Sequence, residues 1–365
     1  MKHYKPDYTL LIISALIVVF GLIMLSSASM VKSQEDFGTP YYYLKHQILF
    51  GLLPGLILAF LAYKINYKVW KKFSFFFFVA AIILLVLVFL PGLSFKAGGA
   101  TRWIHLGPIT AQPSEIAKLA FIIYLAAWLE EKSKNFSNIP ETFFPFCVAT
   151  GLIIGLIILQ PNIGTAGVIS IVALTMYFFA GAPLWQVGSL LALGLGGFFS
   201  FVSLFSHASN RFKIFLHPEL DPLGIGYQIN QALLAIGSGG LWGRGLGQSI
   251  QKFNYLPEAI GDSIFAVIAE ELGFIGILFL IGLFLYFAVR GFKVAQKAPD
   301  TMGKFLAIGI TSWLSLQAFI NISAISGLIP LTGVPLPLIS YGASGLVVAL
   351  IGIGLLLNVS KQTRP

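Results

Sequence analysis

Charge-poor apolar runs, each roughly long enough to cross a bilayer, recur ten times along this chain. They lie at about residues 8–31, 46–63, 73–95, 113–129, 142–160, 163–181, 185–205, 263–289, 305–328 and 339–359. A helix needs about 20 apolar residues to cross a hydrocarbon core of ~30 Å. Only helices and closed barrels satisfy every backbone hydrogen bond in lipid. The pattern therefore predicts an all-α polytopic membrane protein, one domain over residues 1–365 with ten transmembrane helices. Charged residues make up 10% of the chain, against roughly 25% in soluble domains. The first run is too long for a signal-peptide core and lacks a small-residue cleavage site, so it reads as a retained helix. Cys147 is the only cysteine and allows no intrachain disulfide.

Orientation follows from lysine and arginine, which concentrate in cytoplasmic loops. Residues 64–72 and 290–304 carry four basic side chains each, against two each for 32–45 and 96–112. Both termini are then cytoplasmic, and the large loop at 206–262, between the seventh and eighth helices, faces outward. The net charge of +9 is mostly a product of this topology. Its scatter through short loops gives no support to a nucleic-acid partner. Tyr41, Tyr42, Tyr43, Trp70, Trp103, Trp185 and Trp242 lie near helix ends, as an interfacial aromatic belt would.

The 206–262 segment is too long to be a simple connection, and long ordered loops on a rigid scaffold are where sites usually lie. It ends at Asp262, where the apolar helical pattern resumes. An acid there reads either as an ordinary helix N-cap or as a reactive carboxylate, and it is the first candidate for a functional residue. The same loop holds Arg211, Arg244 and Lys252, and six glycines between Gly237 and Gly247. Those glycines fit no phosphate-loop order. They serve either tight turns or a close approach of backbone to a ligand.

Ionisable groups inside a span are costly and usually functional. Pro113 suits a first helical position, which puts Glu115 and Lys118 three residues apart on one face. They form either a structural ion pair or a charged patch at the floor of an outward cavity. Glu270 and Glu271 lie two turns beyond Asp262, pointing about 100° apart, and read as structural. The five histidines lack zinc-ligand spacing, and a serine nucleophile elbow is absent.

Several motifs carry a resemblance. They are Gly99 to Ile104 (GATRWI), Gln112 to Lys118 (QPSEIAK), Gln160 to Ala166 (QPNIGTA), Gly226-Tyr227-Gln228, the glycine run, Tyr255 to Phe265, Gly327 to Pro337, and Tyr341-Gly342. In this order they span almost the whole chain, which is identified as a member of the SEDS family, the FtsW/RodA/SpoVE group. The segment Lys252 to Glu258 is closer to the division and sporulation branch. The resemblance implies a peptidoglycan glycosyltransferase of the bacterial plasma membrane that polymerises lipid II and works with a class B penicillin-binding protein, among other divisome or elongasome proteins. It implies that Asp262 is the essential aspartate, that Glu115 and Lys118 are the charged pair of the fourth span, and that Arg102-Trp103 is the family's Arg-Trp. The chain departs from the family at Ile260-Gly261, where His-Thr or Gln-Thr is usual. It also has Asn162 in place of Asp, and Ala343-Ser344-Gly345 in place of Gly-Ser-Ser.

The implied reaction needs a base near an attacking hydroxyl and positive charge near a departing pyrophosphate. Asp262 is expected to be that base, or a ligand of a divalent cation such as Mg²⁺ or Mn²⁺. Lys118 and Arg102 are expected at the phosphates, with Glu115 orienting Lys118; Arg211, Arg244 and Lys252 are weaker candidates. A flippase for the same lipid and a non-catalytic division scaffold are the competing readings.

Overall fold

The structure is a computed structural model that describes residues 5–90, 94–97, 100–106, 109–136, 138–204, 206–217, 220–221 and 224–363. The helices are α1 (Tyr8–Phe37), α2 (Tyr42–His46), a π-helical stretch at Gln47–Leu52, α3 (Leu53–Lys64), α4 (Tyr67–Lys72), α5 (Ser74–Leu87), α6 (Pro113–Lys132), α7 (Phe143–Leu159) and α8 (Ile163–Phe179). They continue with α9 (Leu184–Leu204), α10 (Ser206–Leu216), α11 (Ile225–Gly239), α12 (Ile264–Gln296), α13 (Thr301–Ile325) and α14 (Ala343–Ser360). A helix stands on each of the ten apolar runs. Six helices among the described residues are long and apolar enough to cross a membrane, and α5, α8 and the first part of α9 are shorter apolar helices. The chain is a multi-pass helical membrane protein. As expected, α6 starts at Pro113, and only Gln160, Pro161 and Asn162 separate α7 from α8.

The structure adds a small antiparallel sheet to the helical expectation. Strands β1 (Ser94–Ala97), β2 (Ala100–Leu106) and β3 (Ile109–Ala111) pair in the order β1-β2-β3 between α5 and α6. The loop at 206–262 also proves partly regular, because it holds α10 and α11.

The core gathers around α13, which packs on α6, α8, α12 and α14. In its most apolar stretch 83% of residues are buried, against 28% for α12. The chain between α13 and α14 folds inward with Leu331, Val334, Leu336, Leu338 and Ile339 buried. Gly21 of α1 and Gly164 of α8 admit this segment: a Cβ on either would sit 2.6 Å from Leu338 O or 2.4 Å from Thr332 O.

A break in α12 explains the glycine run. Gly273 leaves the helical conformation (φ 64°, ψ −165°), so two helical pieces meet there. Freed backbone groups inside an apolar layer need partners. Phe274 and Ile275 donate N–H to Gly240 O (2.9 Å) and Leu241 O (3.2 Å), while Arg244 and Gly245 donate to Glu270 O (2.9 Å) and Glu271 O (3.0 Å). Such backbone-on-backbone packing leaves no room for side chains. A Cβ on Gly243 would lie 2.2 Å from Glu271 O, and its φ of +79° disfavours an L-residue in any case. The close approach is thus to α12 itself. Gly243→Ala is expected to cost about 2–5 kcal/mol, from left-handed strain and overpacking together. Thermal unfolding in detergent measures it; an unchanged midpoint would refute this packing argument.

Candidate functional site

Asp262 is the last residue but one before α12. Three consecutive carbonyls hold its strand of backbone, each by a different donor. Ile260 O accepts from the N–H of Tyr341 (2.9 Å). Gly261 O accepts from Ser340 Oγ (2.7 Å), and Asp262 O from Asn321 Nδ2 (2.7 Å). The Asn321 amide nitrogen also donates to Val334 O at 2.8 Å. A single amide on α13 therefore ties Asp262 to the inward-folded 326–342 segment. The turn before it is closed by the N–H groups of Gly261 and Ser263, which both donate to Glu258 O.

The cap position of α12 falls on Ser263, and no side chain caps it there. Asp262 Oδ1 is enclosed and meets no hydrogen-bond donor. Burial pushes the carboxyl up to about 7. Glu258 adds to this, against the opposing pull of the Asp262 and Ser263 N–H groups and of Arg211.

Arg211, on α10, donates from Nη1 to Leu331 O at 3.2 Å, while its Nε is buried with no partner. Burial lowers its guanidinium pKa, and Asp262 opposes that shift. Arg102, on β2, donates to Gln160 O (3.2 Å) and to Pro161 O in the α7–α8 turn. Burial lowers its pKa as well, and Arg211 lowers it further. The fold thus gathers two repelling cations and one carboxylate from β2, α10 and the start of α12. Buried polar atoms are rarely left without partners. Here an unpartnered carboxylate oxygen and an unpartnered guanidinium N–H belong to two residues close enough to feel each other's charge.

Lys118 and Glu115 are placed differently. Lys118 Nζ lies 2.7 Å from Glu115 Oε1 and 2.7 Å from Gln317 Oε1, over the ring of Trp313 at 5.1 Å. Both charged side chains are buried among α6, α13 and α14. Gln317 also accepts from Trp313 Nε1 (2.8 Å) and donates to Pro335 O (2.9 Å). Gln317 and Asn321 are one turn apart on α13, so one helix face links this ion pair, the 326–342 segment and Asp262.

Lys252 and Arg244 fall into a third group. Lys252 Nζ is buried against Glu271 Oε1 (2.8 Å) and Ser27 Oγ (3.0 Å). Glu270 accepts from Ser249 Oγ (2.5 Å) and from the N–H groups of Ile250 and Gln251, with Arg244 Nε at 3.5 Å. These two glutamates pin the loop to the broken helix, in keeping with their structural reading.

Sequence reasoning did not single out Asn321, Gln317 or Ser340. The available signal was uncharged: two amides four apart in an apolar helix, each of which must find partners.

Among the described residues, no three His, Cys, Asp or Glu side chains converge on a metal-sized site. The charged groups felt by Asp262 are Glu258 and Arg211. Asp262 with Glu258 makes no all-protein cage, but one or two carboxylates completed by substrate phosphates are the usual ligand set of Mg²⁺.

Residues 7–365 match the family model described as "Cell cycle protein", which covers FtsW, RodA and SpoVE. Stage V sporulation protein E of Bacillus subtilis strain 168 is 42% identical over 100% of this chain and 99% of its own length. A probable peptidoglycan glycosyltransferase FtsW of Trichlorobacter lovleyi is 39% identical, covering 98% of this chain and 94% of the relative. In three dimensions, a solved chain from work on how a peptidoglycan synthase complex coordinates polymerization and crosslinking superposes with a TM-score of 0.80. It shares 29% identity, with 97% of both chains covered.

Proposed function

This chain belongs to the FtsW/RodA/SpoVE family of cell cycle proteins, and from that premise we propose that it is a peptidoglycan glycosyltransferase polymerising lipid II. The observation that carries the assignment of its site is the enclosed, unpartnered oxygen of Asp262 beside Arg211 and, next along, Arg102. In this reading ten helices cross the bacterial plasma membrane, both termini are cytoplasmic, and the site opens outward. The working partner is a class B penicillin-binding protein within the division or elongation machinery. The likeness to a chain studied in a peptidoglycan synthase complex supports that part of the reading.

The reaction joins the 4-hydroxyl oxygen of one disaccharide to the anomeric carbon of another. The bond from that carbon to the pyrophosphate oxygen breaks, and configuration inverts. Asp262 takes the hydroxyl proton as the new bond forms. The polyprenyl pyrophosphate leaves with its negative charge facing Arg211 and Arg102, which repel each other until an anion lies between them. Guanidinium forks suit phosphate oxygens. Asn321, Ser340 and the Tyr341 N–H are positioning groups that fix the backbone of the base. Lys118 and Glu115 hold α6 to α13 behind the site.

Labelled lipid II supplied in detergent tests the activity. Glycan polymer must form although no leaflet has to be crossed; a translocator would leave the lipid unpolymerised. The pH profile tests the base. Asp262 acts only when ionised, and its carboxyl titrates at about 7. Activity at pH 6 is expected about tenfold below that at pH 8. A folded-state value above the unfolded one means that stability runs the other way, falling as pH rises from about 4 to 7. A rate that is flat between pH 6 and 8 would remove Asp262 from the role of base.

A further inference from the structure

At the end of α12 away from Asp262, a cavity of about 520 Å³ lies between the start of α1, the last turns of α12 and the end of α14. Its walls carry Lys5, Arg290, Lys293 and Lys297, with the hydroxyls of Ser360 and Thr363. The single carboxylate in the lining, Asp7, is spent on Arg290 at 2.6 Å and on the α1 cap, where Leu10 N–H donates to it. Lys5, Lys293 and Lys297 are exposed and form no ion pair among the described residues.

Arg290 and Lys293 in the last two turns of α12 and Lys297 at its C-cap follow each other at helical spacing. Like charges so placed repel. The helix C-terminus offsets part of that cost, and an anion in the cavity would offset the rest. The surface leading away from the cavity is apolar: Tyr8, Leu11 and Ile12 on α1 and Leu285, Tyr286 and Val289 on α12 are exposed. A cationic cup opening onto two lipid-facing helices fits a phosphate that carries acyl chains. Basic pockets between membrane helices commonly hold such headgroups.

We infer that this cavity binds the headgroup of an anionic phospholipid, with its chains along α1 and α12. This ligand is distinct from the substrate and lies at the other end of the bundle. The lysines supply the charge recognition, and the Asp7–Arg290 pair shapes the floor.

The test titrates delipidated protein in mild detergent with dioctanoyl phosphatidylglycerol, dioctanoyl phosphatidylcholine and inorganic phosphate, read by native mass spectrometry and thermal shift. Wild type is expected to bind phosphatidylglycerol saturably. The triple variant Lys5→Gln, Lys293→Gln, Lys297→Gln should bind it about a hundredfold more weakly, at roughly a fivefold loss per lysine. This variant leaves the Asp7–Arg290 pair in place, and unchanged lipid II polymerisation certifies its fold. Equal affinity of wild type and variant overturns the inference. So does phosphatidylcholine binding as tightly as phosphatidylglycerol. Inorganic phosphate stabilising the protein as strongly as the lipid would mark a soluble-anion site instead and overturn the lipid assignment.

Discussion

Replacing Asp262 with Asn is expected to abolish glycan polymerisation, lowering kcat by about 10²–10⁴-fold, the usual contribution of a placed general base. Asn keeps the shape of the side chain, and the three bonds to the carbonyls of residues 260–262 stay intact. The loss should therefore come from chemistry and leave the fold alone. Removing the carboxylate also removes the negative group that opposes a pyrophosphate near Arg211. A level KM for lipid II with a collapsed kcat is the pattern of a lost interaction made only in the transition state, and a KM that falls as well reports the relieved ground-state repulsion. Purified variant, with and without its transpeptidase partner, is assayed for glycan strands on gels. Strand synthesis within threefold of wild type would end the case for Asp262 as the base. The variant should also lose the rise in rate between pH 6 and 8.

The second large effect concerns stability. Lys118→Met is expected to destabilise the protein by about 3–5 kcal/mol, because it strands the Glu115 carboxylate in a buried layer. Gln317 keeps its Trp313 and Pro335 bonds, so the stranded charge is the dominant loss. Adding Glu115→Gln removes that charge, and the double variant should recover most of the stability. Unfolding in detergent of both singles and the double gives the coupling directly. The mechanism expected from the sequence gives Lys118 a phosphate contact, whereas the geometry encloses it between Glu115, Gln317 and Trp313. The two roles give opposite signatures. A phosphate contact would raise KM for lipid II and leave stability untouched; a helix-to-helix tie does the reverse.

Composition and charge pattern suffice for a helix on each of the ten apolar runs, for the start of α6 at Pro113 and for the location of the glycine run, but not for α10 and α11 within the 206–262 loop. Crossing a bilayer imposes a one-dimensional rule, a run of apolar residues of fixed length, and such rules survive in sequence. Asp262 is marked by position alone, at the join of a long loop and a helix. Which side chains meet is another matter. Helices apolar on nearly every face carry no amphipathic stripe to say which side packs inward. So the pairing of Lys252 with Glu271 and Ser27, the approach of Gly243 to the break in α12, and the gathering of Arg102 and Arg211 around Asp262 emerge only in three dimensions. Asn321 and Ser340 are hidden for a related reason. Neither carries charge, and an amide in an apolar helix or a hydroxyl in an apolar loop has many ways to satisfy itself. Only the fold decides that these two grip the backbone of the reactive carboxylate, because burial leaves three neighbouring carbonyls that must each find a donor.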